Sequence, residues 1–539
     1  MLSRYIKQPL LRKALPVVTI LFLYVVVHWL LLACFHSGFI SGYQKIVSKI
    51  GSAADWINIV PFESFSITIG ALANPFFVIG LLAICFPVFK HYRKLEWKQL
   101  HSYQWIRWIV VVIAAVLTWD HSTYNYNYYF DQAHYFDRVL LIALTVLIWK
   151  HPAFIAPYLA ITLLVRAQFY VPISDITNVD KKMLIDQLML FYVFIVVRLY
   201  RKWPAHLYVF LMVCLLGASY VIPAISKIFV APHGYEWFTN GNLHYSLALA
   251  NYRGWNLSQG VINFAEQYGT LLSIVTFCLE LVAILFLFKA KWSRFIIMGF
   301  FGIHISIFAL TGVFFWKWML FEIVVLLLFW KMPVALEERL FTKTTFYGSM
   351  VIMLFSGFYF KPHQLAWFGA KTNYVYSYEV IGESGKRYTL DRNFMAPYDK
   401  HFQVDRIAHF NPFHSIEVSA HGYVTDYTLL LEGEKVETQE DFIQLEKERG
   451  KLKFDGESNV TYVIFIQTYF RNYNRNLGSL FWINALAPPR HFQNRSKKLT
   501  YSGQEKVKGF EIQLDRTIIV NNKVKALNKQ VLLYIPISE

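Results

Sequence analysis

Charge is what this sequence has least of. Only 16% of its 539 residues are Asp, Glu, Lys or Arg, against 56% hydrophobic and 18% aromatic. A soluble domain carries about one-quarter charged residues, so the shortfall excludes a chain that is water-soluble throughout. Cysteine is scarce as well: Cys34, Cys85, Cys214 and Cys278 all lie inside apolar runs. The C-terminal third has none, which excludes a disulfide framework or a thiolate metal cluster there. The four thiols read as small core hydrophobes. There is no phosphate-binding glycine loop, no G-x-S-x-G elbow, no CxxC pair and no internal repeat. The formal charge of +17 is not gathered into a basic patch interleaved with aromatics, so nucleic acid is not an expected partner. Basic loops facing an anionic lipid bilayer account for it.

Long apolar runs are what the sequence has instead. They recur from Ala14 to Phe360, and a helix needs roughly 20 such residues to cross a bilayer. The runs predict spans at 14–35 and near 66–88, 103–119, 138–149, 152–170, 182–198, 205–230, 268–289, 292–314, 315–331 and 345–360. The count is about eleven, with 138–149 and 152–170 alternatively a re-entrant pair. The first run, preceded by Arg4, Lys7, Arg12 and Lys13, is too long for a signal-peptide core and predicts a cytoplasmic start. The loops then placed inside, 90–98, 149–151, 198–203, 289–294 and 331–340, hold most of the loop Lys and Arg, as the positive-inside rule requires. An odd number of spans puts residues 371–539 outside the cytoplasm, in a periplasmic, extracellular or lumenal space. The expected fold is therefore a polytopic α-helical membrane bundle over residues 1–365, followed by a β-rich soluble C-terminal domain over 371–539. Strand-like runs occur at 374–380, 425–433, 459–470, 509–515 and 530–536. One helix begins at Thr438, with Glu440 and Asp441 in its first turn.

Ionisable groups inside apolar runs are costly and therefore candidates for function. Lys227 lies near the outer end of 205–230, four residues after Pro223, which gives no N–H to the Ser219 carbonyl. It reads either as a partly desolvated amine able to act as a base or as a lysine snorkelling to the headgroups. Glu280 and His304 sit too deep in their runs to snorkel, so each faces protein or a cavity. Arg166 and Asp186 are placed to pair, and Lys317 reads as a boundary anchor. The loop 119–138 combines Asp120, His121, Asp131, His134 and Asp137 with a run of tyrosines. Lys227, His134, Glu280 and His304 are expected to converge on one outward-facing cavity. In the C-terminal domain His401, His409, His414 and His421 are spaced by eight, five and seven residues, which fits no standard zinc pattern. No metal is expected.

Three segments carry a family resemblance. Residues 133–141, with His134, are similar to a His-bearing segment that enters a span. Residues 223–227, followed by Trp237 and Gly241, are similar to an Ala-Gly-x-x-Lys motif followed by Trp and Gly. Residues 303–320 are similar to a second His-bearing span. In this order they resemble the horizontally transferred transmembrane domain (HTTM) family, which includes vitamin K-dependent gamma-carboxylase; the likeness covers about 120–330. Pro223 and Ala224 stand where the motif has Ala-Gly, and Ser226 stands where the carboxylase has a second lysine. The resemblance implies an enzyme that couples epoxidation of reduced vitamin K, or another quinol, to carboxylation of glutamate in a peptide or protein. Carbon dioxide and dioxygen are its co-substrates. It implies Lys227 as the catalytic base and His134 as the group that orients or stabilises the quinol oxyanion. Trp237, Glu280 and His304 would line the quinone pocket. The alternative is a non-enzymatic membrane receptor, or a maturation or export factor, whose outer domain captures a peptide or protein. A third reading, a transporter, uses Glu280 and His304 as a proton relay.

Overall fold

The computed structural model describes residues 9–50, 69–100, 103–123, 136–167, 179–366, 368–391, 394, 410–416, 423–424, 426–475, 477, 486–491 and 500–538. The helical region contains α1 (Pro9–Ile50), α2 (Pro75–Lys90), α3 (Tyr103–Thr123), α4 (Phe136–Lys150), α5 (Ile155–Ala167), α6 (Val179–Arg201) and α7 (His206–Phe229). It continues with α8 (Glu236–Asn240), α9 (Leu243–Ala250), α10 (Gln259–Gln267), α11 (Gly269–Leu281), α12 (Ala290–Thr311), α13 (Trp316–Trp330), α14 (Val334–Leu340) and α15 (Lys343–Leu354). Local chemistry sets several starts. The Asn74 side chain accepts the Phe76 and Phe77 amides, with Pro75 in the first turn, and Thr342 with Thr345 forms a capping box at α15.

Five of these helices are long and apolar enough to cross a bilayer: Ala14–Phe35 within α1, Gln104–Thr123, Lys181–Arg201, His206–Phe229 and Ala290–Thr311. Two bent pairs, α10–α11 at 78° and α13–α14 at 106°, raise the number to seven if each counts as one span. The expected count of about eleven is corrected accordingly. Helices α2, α4, α5 and α15 have 16, 15, 13 and 12 residues. At 1.5 Å per residue they reach only about 18–24 Å, short of the roughly 30 Å hydrocarbon core. Helices α6 and α7 form the centre, whereas α1 and α12 lie outside with broad apolar faces. Phe22, Trp29, Val139 and Phe229 are all exposed; apolar faces of this extent are stable against lipid rather than water.

The C-terminal region holds β1 (Phe368–Gly369), β2 (Thr372–Gly382), β3 (Arg387–Thr389), β4 (Tyr423–Val424), α16 (Tyr427–Gly433), α17 (Gln439–Arg449), α18 (Gly456–Arg475), β5 (Val507–Val520) and β6 (Lys523–Pro536). Its antiparallel sheet runs β3-β2-β5-β6, and β1 pairs with β4. Asn521 and Asn522 turn β5 into β6, both with positive φ (49° and 60°). Two such residues build the turn whose twist matches a hairpin, and Asn tolerates that conformation. The strands expected at 425–433 and 459–470 are helices, and the reason lies in their spacing. Asp426 accepts the Leu429 amide and starts α16. In α18 the buried residues are Tyr462, Phe465, Ile466, Tyr469 and Phe470, which is a helical period on a β-rich composition.

The sheet is mounted on the segment between α7 and α11. Val375 and Ile519 share a core with Leu247, Leu249 and Ile262. The Gly369 amide donates to the Gly241 carbonyl at 2.9 Å, and a Cβ on Gly369 would stand 2.2 Å from the Asn242 carbonyl oxygen. The Tyr252 hydroxyl donates to Asp515 at 2.9 Å and the Asn522 amide to Glu266 at 2.6 Å. Tyr245 donates to Glu434 at 3.0 Å.

Two predictions follow from this packing. Glu446 and Arg516 are both buried and 2.8 Å apart, and Tyr374 donates to the same carboxylate at 2.6 Å. Glu446→Leu strands the guanidinium and costs about 3–5 kcal/mol; faster amide exchange across 510–518 registers it, and Arg516→Met in the same chain recovers part of the loss. Burial holds the Glu434 carboxyl above its ordinary range, opposed by the Tyr245 hydrogen bond and by Lys371. A raised carboxyl stabilises the docked state most below its unfolded value and loses that contribution as pH rises through its folded value. Protection factors of α9 amides, taken relative to the intrinsic exchange rate at each pH, therefore fall as pH rises through that range, and Glu434→Gln removes that fall.

Candidate functional site

Helix α7 carries Pro223 nearly two turns before its end at Phe229, and two side chains converge on the carbonyl of that proline. Ser226 Oγ donates to it at 2.8 Å and Lys227 Nζ lies 3.5 Å from it. Lys227 is only 4% exposed, and the last turn of a helix presents carbonyls that favour a cation. Its ammonium meets Glu280 Oε2 at 2.5 Å and stands 5.1 Å from the centre of the Trp237 ring. Glu280 comes from the last turn of α11, next to the 3-10 turn Val282–Leu285. Trp237, on α8, packs edge-on against Phe238, which meets Phe277 in the same way. Gly241 closes α8 tightly, since a Cβ there would lie 2.6 Å from the Trp237 carbonyl oxygen.

A second buried polar group lies beside the first. His304 Nδ1 on α12 faces both oxygens of Glu322 on α13, at 3.2 Å and 3.3 Å. Glu322 is fully buried and also accepts a short hydrogen bond from the Tyr220 hydroxyl on α7. Tyr220 stacks on Phe300 and meets Trp318 edge-on. Tyr220 and Lys227 stand seven residues apart on α7, about two turns along one face of that helix.

Lys227, Trp237 and Glu280 are together, whereas His304 belongs to the group formed with Glu322 and Tyr220. His134 lies outside the described residues, as does Asp131. Lys227 does not snorkel. Lys317 is not a boundary anchor: it is 5% exposed and meets Asp120 at 3.1 Å, and Asp120 also pairs with Lys181. A carboxylate one turn before the end of α3 draws both lysines inward. Asp186 pairs with Lys182 at 2.5 Å and lies 3.8 Å from His28; the side chain of Arg166, its expected partner, is outside the described residues. His121 and Asp137 meet at 2.6 Å. Cys278 is exposed on α11, unlike a core thiol. Among the described residues no group of three His, Cys, Asp or Glu side chains could hold a metal ion; His401, His409 and His421 lie outside them.

Glu322 was legible by the rule that singles out Glu280, since it too stands alone in an apolar run. Tyr220 has no such signal in the sequence. No family model, no curated protein and no solved structure matches the chain.

The Lys227–Glu280 contact generates a direct prediction. Lys227→Met and Glu280→Leu each leave one buried charge unpaired and lower the melting temperature in detergent. The double variant recovers much of the loss, giving a coupling of at least about 1 kcal/mol in a double-mutant cycle.

Proposed function

We propose that the chain is an integral membrane enzyme of the gamma-carboxylase type, coupling oxidation of a reduced quinone to carboxylation of glutamate in a peptide or protein. The observation that carries this reading is the buried amine of Lys227, 2.5 Å from a carboxylate and against an indole face. Reduced vitamin K or another quinol is the partner that the resemblance gives this place. Trp237, Phe238 and Phe277 offer flat apolar faces and Lys227 one polar contact. When bound, the quinol supplies with dioxygen the driving force for removing a glutamate γ-proton, at whose carbon carbon dioxide adds.

The work of this chain is to take a proton at Lys227 Nζ. A proton passed from the ammonium to Glu280 leaves two neutral groups, so the base is freed without moving net charge through an apolar region. The free amine then accepts a proton from a hydroxyl held against Trp237. The Pro223 carbonyl, 3.5 Å from Nζ, orients the amine. The resemblance gives His134 the task of steadying the oxyanion that results, and His304 a place in the pocket wall. The basic loops support a cytoplasmic N-terminus and an extracytoplasmic C-terminal domain. In that orientation the docked sheet and the Lys227 end of α7 share one side, where a peptide would arrive.

The alternative, a receptor or export factor, draws support from the firm mounting of the sheet on 241–266. One assay separates the two. Purified protein is given reduced vitamin K, labelled bicarbonate and a glutamate-containing peptide. The wild type is expected to yield labelled peptide and epoxide, and Lys227→Met to lose about 100-fold or more of the turnover. Peptide capture without either product favours the receptor. A Lys227→Met protein that turns over normally removes Lys227 as the base, and a wild type that yields neither product removes the enzyme reading.

A further inference from the structure

One face of the C-terminal sheet gathers buried acceptor oxygens that nothing else in the described chain answers. Asn373 on β2 is registered with Thr517 on β5, and strand side chains alternate, so Asn373, Gln513, Asp515 and Thr517 share one face. That face is turned toward the helical region. Its Val375 and Ile519 enter the small core shared with α9 and α10, and Tyr252 donates to Asp515 Oδ2 at 2.9 Å. Asn373, Gln513 and Asp515 are 0%, 5% and 6% exposed. Among the described residues no donor meets Asn373 Oδ1, Gln513 Oε1 or Asp515 Oδ1. We propose that these three oxygens are the protein ligands of a hard divalent cation of the calcium type, which fastens the sheet to the helical region beside Tyr252.

A buried acceptor without a donor costs about 1–3 kcal/mol, and three on one face share a single remedy. The other bonds of these side chains say which atoms are free for it. Gln513 Nε2 donates to Glu511 Oε1 at 2.5 Å, which turns its Oε1 away from Glu511, to the side where Asp515 follows. Asn373 Nδ2 donates to the Ala370 carbonyl at 2.7 Å and leaves Oδ1 over. All three unanswered atoms are acceptors, and one belongs to a carboxylate. Amide and carboxylate oxygens without sulfur or imidazole suit a hard cation rather than zinc or copper. Neighbours two apart on a strand face lie about 7 Å apart, and a diagonal pair such as Asn373 and Asp515 about 7–8 Å. Oxygens on one calcium ion lie within about 5 Å of each other, a difference that side chains of this length close.

Charge favours the same occupant. Glu379, Glu511 and Asp515 stand on this face against Arg387, which bonds both glutamates, and Lys529, which is registered with Asp515 on β6. Three carboxylates against two cations leave one negative charge. Lys529 is exposed and does not answer Asp515 Oδ1. Three protein oxygens with water completing the shell make a weak site, of the class with Kd of about 10⁻⁴–10⁻³ M in extracellular modules. Such an affinity matches the extracytoplasmic side that the basic loops support. A search for groups of His, Cys, Asp and Glu passes over the site, since two of its three ligands are amides.

The full chain in lipid nanodiscs, stripped with a chelator, is titrated with calcium chloride while amide exchange is followed by mass spectrometry. The expected result is a saturating slowing over 373–377, 511–517 and 247–255, half complete at about 10⁻⁴–10⁻³ M. Gln513→Met keeps the length of the side chain without its oxygen and is expected to raise the half-point about tenfold or more. Asp515→Asn is expected to abolish the response, and Gln513→Met decides the matter if that variant fails to fold. Lys529→Gln, which removes a competing cation, is expected to lower the half-point. No response to calcium, or one that Gln513→Met leaves unchanged, overturns the inference and leaves the three oxygens to ordered water. An equal response to potassium chloride at matched ionic strength is screening alone and overturns it too. The site does not involve Lys227, so its failure leaves the carboxylase reading untouched.

Discussion

An ammonium in hydrocarbon needs a partner, and that requirement organises the centre of this molecule. The Lys227–Glu280 contact ties the end of α7 to the end of α11. The Glu322 contacts tie α12, α13 and the middle of α7 together. Asp120 draws α6 and α13 toward α3. Between helices whose apolar sides are as comfortable in lipid as against each other, such polar contacts choose the arrangement. Leucine and valine fill the space; the carboxylates say which helix lies beside which.

The same economy governs the C-terminal region with water on its outer side. Arg516 is buried in the central strand and is answered by Glu446 and stacked near Phe413. The hairpin strands β5 and β6 are held to the helical region at their turn, where Asn522 reaches Asn263 and Glu266. Gly369 brings two backbones within a distance that no side chain would permit. The two regions are thus joined by hydrogen bonds, by one small shared core and by Val230, Ala231 and Trp237 packed against the core of the C-terminal region, rather than by a linker alone.

Much of this could be read from the sequence, and the misses have physical causes. Apolar length announced the helical region, but it counted runs such as 138–149 and 345–360 that form helices too short to cross a bilayer. The alternation in β2, β5 and β6 was legible, whereas Tyr462 to Phe470 looked like a strand because aromatic and β-branched residues outweighed their helical spacing. Isolated charges in apolar runs pointed to Lys227, Glu280 and His304, and the same rule extends to Glu322. Tyr220 was invisible: one tyrosine among 34 gains its role only from the carboxylate that another helix sets opposite it. Lys317 looked peripheral because its partner, Asp120, lies almost two hundred residues earlier in the chain.

The β5–β6 hairpin has a mechanical aspect. Each strand has 14 residues, about 46 Å at 3.3 Å per residue, and the foot of this rod rests on α10. Helix α10 meets α11 at a 78° corner, and Glu280 sits at the far end of α11. Because β2 pairs along β5 and Tyr252 ties Asp515 to the helical region, a displacement of the distal tip moves the sheet as one piece with that corner as its fulcrum. The carboxylate that holds Lys227 lies one helix length downstream of that fulcrum.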